Sequence, residues 1–191
     1  MLDSTTHPRF EALLMPHLDA AYNLARWLTR NDHDAQDVVQ EAYLRAMRYF
    51  ASFRGEQARP WLLQIVRHTG YSWLQQNRPG DLVSLDDDNA TAIEPAAPAE
   101  HEPMAVAARN ADQALINRAI AALPVVFREV LVLRELEDLS YKEIARIVGV
   151  PVGTVMSRLS RARALLQRAL LPGARPVLRE VPLRAMPGGP K

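Results

Sequence analysis

The chain has 191 residues, room for one domain or two small ones, with 48% hydrophobic residues and a net charge of only +1. A bulk polycation is excluded, so any nucleic-acid site has to come from local charge. Cysteine is absent, which removes disulfides and thiolate metal sites.

The first residues place acids and histidines where a secretory signal needs a basic flank and an unbroken apolar core. No apolar run approaches a membrane span. A cytoplasmic protein without membrane insertion is expected. From Phe10 to about Thr29, Phe10, Leu13, Leu14, Leu18, Tyr22, Ala25 and Leu28 follow a helical period, which Pro16 should restart or kink. Residues 31–34 read as a turn, with Asp32 or Asp34 available as a cap. The next helix, residues 35 to about 49, buries Val38, Val39, Ala42, Tyr43, Ala46 and Phe50. Asp37, Gln40, Glu41, Arg45 and Arg48 lie on its other sides, and by composition alone they form a solvated face with a Glu41–Arg45 pair.

Residues 51–59 break the periodicity and read as a loop. Pro60 opens a third helix that runs to about Arg78, with Leu62, Ile65, Val66, Tyr71 or Trp73, and Leu74 on its apolar face. Its remaining positions mix aromatics with amides and cations, as surfaces that hold single-stranded nucleic acid do. Trp61 and Trp73 read equally as core, the commoner fate of tryptophan in a helix. Residues 79–103 carry four prolines, seven acids and no lysine or arginine, so a flexible acidic linker is expected. Periodicity returns with Val106, Ala111, Leu115, Ile116, Ala119 and Leu123. Pro124 breaks it, and an apolar helix follows over residues 125–137 with Val126, Val130, Leu131 and Leu133, closed by Glu135, Glu137 and Asp138.

Residues 139–170 contain the most specific local pattern. Ser140 followed by Glu143 is a capping box. Ile144, Ala145 and Val148 make an apolar stripe, Gly149 suits a left-handed helix end, and Pro151 suits the start of a second helix or the turn before it. That helix buries Val155, Leu159, Ala162 and Leu166 and leaves Arg158, Arg161, Arg163 and Arg168 mostly off that face. A short helix, a glycine turn and a longer basic helix make a helix-turn-helix whose second helix fits the major groove. A helical hairpin with a solvated basic face is the plainer alternative. Residues 172–191, rich in proline and basic overall, are expected to be disordered.

The patterns of catalysis are missing. His7, His17, His33, His68 and His101 fall in no metal-ligand spacing, and there is neither a phosphate-cradling glycine loop nor a nucleophile elbow. No metal or cofactor is expected, and an enzyme is the weaker class.

Residues 34–50 (DAQDVVQEAYLRAMRYF), 53–78 (FRGEQARPWLLQIVRHTGYSWLQQNR) and 122–163 (ALPVVFREVLVLRELEDLSYKEIARIVGVPVGTVMSRLSRAR) occur in that order around the acidic linker. This combination resembles the bacterial sigma-70 family of RNA polymerase sigma factors, in its extracytoplasmic-function (ECF) group. The resemblance implies an all-α chain of two small helical domains: a sigma-2 domain over residues 9–79 and a sigma-4 domain over residues 106–171. A linker spans residues 80–105 and a proline-rich tail spans residues 172–191. It also implies binding to core RNA polymerase and promoter DNA, and an anti-sigma partner. By the resemblance, Asp37, Gln40 and Glu41 contact polymerase, and residues 53–59 form a loop that captures a flipped base. Arg54, Trp61, Arg67, His68, Tyr71 and Arg78 serve the minus-ten element. Thr154, Ser157, Arg158, Ser160, Arg161 and Arg163 serve the minus-thirty-five element. His68 stands where relatives often carry Asn, Met156 where a basic residue is common, and Ser160 where a bulkier side chain is usual. Two other readings compete: a free-standing helix-turn-helix regulator that binds duplex DNA without polymerase, and an interaction protein whose arginines are merely solvated.

Overall fold

The computed structural model describes residues 6–54, 57–82 and 107–171, and all the regular structure among them is helical. Pro16 divides the first predicted helix. α1 (Thr6–Leu14) passes through a single 3-10 turn, Met15–His17, into α2 (Leu18–Thr29). The buried face of α2 is set by Ala20, Ala21, Leu24 and Trp27 together with Ala25 and Leu28, whereas Leu18, expected inside, is exposed. α2 ends at Arg30 in the left-handed region (φ 59°), a conformation that usually selects glycine. The Arg30 guanidinium meets Asp81 at 2.6 Å. Asp81, expected in the flexible linker, is therefore part of the packed unit.

α3 (Asp32–Tyr49) is capped by Asn31 rather than by Asp32 or Asp34; the Asn31 carboxamide oxygen accepts the Asp34 N–H at 3.0 Å. Asp32 and Asp34 instead fall in the first turn, where negative charge meets the positive end of the helix dipole. α4 (Ala58–Asn77) starts two residues before Pro60, which sits in the first turn, where a missing N–H costs nothing. Leu62, Leu63, Val66 and Leu74 are buried, while Trp61, Ile65, Tyr71 and Trp73 pack at the edge of the core. A Cβ added at Gly70 would stand 2.8 Å from Leu28 Cδ1, so this glycine lets α4 lie close against α2. α2, α3 and α4 pack on one another, with α1 laid across them.

The second unit is built around α6. α5 (Ala107–Ala121) turns through Leu123 and Pro124 into α6 (Val125–Glu135), which ends two residues earlier than expected. The expected stripe of α5 holds only toward its end: Ala119 and Leu123 are buried as expected and Ile120 joins them, while Leu115 and Ile116 are exposed. Val106 lies outside the described residues, as do most of the acidic linker (residues 83–105) and the whole tail (residues 172–191). Every residue of α6 from Val125 to Leu133 is buried, including Arg128 and Glu129. Arg128 staples the preceding turn by donating from Nη1 to the carbonyls of Ala121 (2.6 Å) and Leu123 (3.0 Å). Burial, followed by the nearby Arg30 charge, pulls its pKa down to about 10.

α7 (Tyr141–Val148) and α8 (Val152–Leu170) form the expected helix-turn-helix. Both halves of the capping box are made, Gly149 is left-handed (φ 76°), and Pro151 is the residue just before α8. Ile147 and Leu165 are buried, while Ala145 and Leu166, predicted for the core, are half-buried. The two helical units are in contact, α4 against α7 and α2 against α6, and one apolar core runs through both. Among the described residues no helix is long and apolar enough to cross a membrane.

The box gives a direct test. Hydrogen bonds from the Ser140 hydroxyl and backbone N–H hold the Glu143 carboxyl below its ordinary value of 4.5. A depressed carboxyl contributes stability above its unfolded pKa and loses it as pH falls through the folded one. Ser140→Ala is expected to lower unfolding free energy by about 1 kcal/mol at neutral pH, a cap's usual worth. Urea titrations should show this deficit narrowing as the pH falls below 4.5.

Candidate nucleic-acid and polymerase surfaces

Three places carry the residues singled out from sequence. The first is α3. Asp37 and Gln40 are exposed and Glu41 is half-exposed, with Glu41 paired to Arg45 at 2.8 Å and Asp37 near His33 at 3.5 Å. Beside Gln40 an apolar cleft of about 280 Å³ opens between α1 and α3, lined by Phe10, Met15, Tyr43, Leu44 and Met47. Met15 and Leu44 are both about half exposed, an unusual fate for large apolar side chains next to a polar face. Tyr43 fixes the edge of the cleft by donating to the Leu14 carbonyl at 2.9 Å.

The second place is a cleft of about 490 Å³ at the start of α4. Its walls are Ser52, Phe53, Arg54, Gln57, Pro60, Trp61 and Gln64 from the first unit and Arg146 from α7. An aromatic stack builds one side. Phe53 lies 4.7 Å from Trp61 and 6.0 Å from Phe50, and Phe50 meets Phe10 edge-on at 5.2 Å. Trp61 therefore does both things the sequence left open, packing on the core while showing part of its ring to the cleft. An apolar ring with a cation nearby suits a flat, electron-rich group such as an unstacked base.

The third place lies farther along α4, and here the structure departs from the simple picture of a row of free DNA-reading groups. Arg67 is largely buried. Its Nε and Nη2 donate to both oxygens of Glu129 on α6, at 2.7 and 3.2 Å. Arg67 also lies over the Tyr71 ring at 4.3 Å. The Tyr71 hydroxyl is buried, and burial beside the Glu129 charge drives its pKa far up. Arg78 donates to the Thr29 carbonyl at 3.0 Å and covers Trp73, which staples the turn between α2 and α3. Of the minus-ten set, Arg54 and His68 are exposed. The set is thus divided: Arg54 and Trp61 meet at the cleft, Arg67 and Tyr71 face the second unit, and Arg78 serves the first unit's own fold.

On α8, Ser157, Ser160, Arg161 and Arg163 are exposed and Thr154 is half-exposed, so the proposed groove-facing side is presented. Arg163 is held by Glu135 at 2.6 Å. Arg158, expected off the buried face, instead points inward and its Nη1 approaches Glu129 at 3.7 Å. Burial of Glu129 raises its carboxyl pKa, and the two bonds from Arg67 oppose that rise. On Arg67, burial alone would lower the pKa, but the Glu129 bonds outweigh it and hold the guanidinium above its ordinary value.

Sequence reasoning missed the acids that organise this region. Glu129 is fully buried, and Glu137, read as a helix-ending acid, is buried too. Glu137 accepts from Arg59 at 2.5 Å and from Asn23 at 3.1 Å, both on the first unit. A further bond joins Arg146 to Gln57 at 2.9 Å. The signal for Glu129 was available, because a helix apolar all round is buried and any charge within it must be paired.

The matches to known proteins cover both units. Residues 13–79 match the family model described as Sigma-70 region 2, and residues 113–166 match the one described as Sigma-70, region 4. The RNA polymerase sigma-H factor of Pseudomonas aeruginosa is 34% identical over 175 residues, spanning 90% of this chain and 89% of that protein. The ECF RNA polymerase sigma-E factor of Haemophilus influenzae is 36% identical over 157 residues, 78% of this chain and 80% of its own. Among solved structures, the sigma factor RpoE of Bartonella quintana in complex with the anti-sigma factor NepR aligns with a TM-score of 0.64 at 29% identity, over 85% of this chain and 96% of that one.

The histidine of the third place gives a test of the electrostatics. Partial burial and then the neighbouring Arg67 charge hold the His68 pKa below 6.5, so its ring is neutral at pH 7. An NMR titration of the ring proton is expected to give a midpoint below 6.5, and Arg67→Gln should move it upward.

Proposed function

The chain belongs to the ECF group of the sigma-70 family, and we propose how its surfaces divide the work. As a sigma factor it binds core RNA polymerase and directs promoter-specific initiation of transcription. One observation carries the division of labour: a single chain holds both an α3 with an acid-and-amide face and a capped helix-turn-helix with a basic second helix.

In this reading residues 9–79 form the sigma-2 domain. Asp37, Gln40 and Glu41 engage polymerase from α3, and the apolar cleft beside Gln40 adds area to that contact. The cleft of Phe53 and Trp61 receives a base extruded from the duplex, with Arg54 at its wall for the phosphates. Extrusion costs a few kcal/mol, which stacking on such a ring offsets in part. Arg67, His68, Tyr71 and Arg78 complete the minus-ten surface.

Residues 106–171 form the sigma-4 domain. Thr154, Ser157, Arg158, Ser160, Arg161 and Arg163 read or clamp the minus-thirty-five element in the major groove. The molecule works by binding, without a catalytic step of its own, in the cytoplasm. Two weak DNA modules joined by residues 80–105 gain from effective concentration once polymerase fixes their separation. An anti-sigma protein is a further partner in this reading. It is supported by the likeness to RpoE, which was solved bound to the anti-sigma factor NepR.

Run-off transcription with purified core polymerase and promoter fragments, with DNA binding followed in parallel without core, tests the reading. Transcripts are expected only with both proteins present. Arg161→Ala should weaken promoter use by about 1–3 kcal/mol, the worth of a bidentate base contact. Unchanged transcription would remove Arg161 from the site. Asp37→Ala and Gln40→Ala should lower polymerase binding with an unchanged circular-dichroism spectrum; tight specific DNA binding without core, and no transcript, would point instead to a free-standing regulator.

A further inference from the structure

One of the ion pairs that hold the two units together has as its cation a group that DNA would need. We propose that Glu129 is an intramolecular latch that keeps this sigma factor closed and withdraws Arg67 from DNA until the units separate. The proposal rests on the assignment of Arg67 to promoter recognition.

The geometry is specific. Arg67 comes from α4 of the first unit and crosses to the fully buried carboxylate of α6, which Arg158 of the second unit's own α8 also approaches. Glu129 accepts two bonds from Arg67, the fork geometry that guanidinium otherwise offers to a phosphate or a guanine edge. The carboxylate thus occupies, within the protein, the coordination that nucleic acid would fill. Tyr71 is enclosed in the same contact, with its hydroxyl buried.

A second clasp lies beside the base cleft. Glu137 is held by Arg59 and Asn23 of the first unit, and Gln57 accepts from Arg146. Arg146 also forms one wall of the cleft that holds Trp61, so closure narrows the approach to that ring. The latch and the clasp act in the same direction. Each joins the units through charged or amide groups rather than through apolar area alone, and such contacts can be exchanged for those of a polymerase surface or a phosphate backbone. Opening costs most at Glu129, because a carboxylate left unpaired in a buried site is poorly solvated. The chain should therefore bind promoter DNA weakly by itself for a structural reason, beyond its low net charge.

The full chain has no cysteine, so two can be introduced for dye labelling. Gln75→Cys on α4 and Gln167→Cys on α8 are both at exposed positions. In this background Glu129→Gln, which keeps the shape and removes the charge, is expected to lower energy transfer between the dyes. It should also raise affinity for a promoter duplex in the absence of polymerase by about fivefold or more, a typical coupling between conformation and binding. Asn23→Ala with Glu137→Gln, both outside the residues assigned to DNA, is expected to shift both readouts in the same direction, and it decides the matter if Glu129→Gln does not fold. Circular dichroism establishes folding in each case. A folded variant with the parent's energy transfer overturns the latch. Lower energy transfer with no gain in DNA affinity overturns the withdrawal of Arg67, and points back to its assignment to DNA. The Arg161→Ala transcription test is independent of both results.

Discussion

A buried carboxylate cannot stand alone. Glu129 lies in the middle of a helix that is enclosed on every side, where water cannot solvate it. It must either take up a proton or be met by a cation with good geometry. The chain supplies Arg67, and because Arg67 lies on α4, the solution to a local problem on α6 fixes how the two halves of the molecule face each other. Ion pairs of this kind add little net stability, since desolvation consumes most of the Coulomb gain. What they supply is direction. The apolar contacts of α4 with α7 and of α2 with α6 would tolerate sliding, whereas a two-bond guanidinium–carboxylate pair tolerates almost none. The same reasoning applies, more weakly, to Glu137 with Arg59 and Asn23.

Much of the fold is legible in the sequence because it follows local rules. The capping box at Ser140, the left-handed Gly149 and the interruption at Pro16 each act within a few residues, and each appears as expected. Errors cluster where distant residues decide. Leu18 fits the period of α2, but Ala20 and Ala21 are the positions that face α3 and α4 closely enough to be buried. Leu115 and Ile116 continue a plausible stripe on α5 but are exposed, whereas Ile120, left out of that stripe, is buried where α5 packs on α8. α2 ends without glycine because Arg30 is tied to Asp81, 51 residues later, a pairing that no local pattern encodes.

The candidate surfaces divide in the same way. Exposure of the polar face of α3 and of the outer side of α8 follows from helical period alone. Arg158 does not follow it. The spacing places it off the apolar stripe, and only the presence of Glu129 beneath α8 explains why it turns inward. Residue types chosen for DNA are also the types best suited to satisfy a buried acid, since both tasks need a planar fork of donors. A sequence pattern can identify such arginines without revealing which of the two partners they hold.

That double suitability has an energetic consequence. If Arg67 were simply free, the isolated chain would gain its full phosphate affinity and would bind more readily over genomic DNA, where nonspecific sites vastly outnumber promoters. Holding Arg67 on Glu129 subtracts the cost of opening from every encounter with DNA alone. A polymerase surface that binds α3 does not compete for that arginine, yet it can separate the units by engaging both at once, and the cost is then met by a large protein interface rather than by phosphates. The difference between the two encounters is a form of specificity that needs no additional base contact. It resides in the placement of one acid inside one helix.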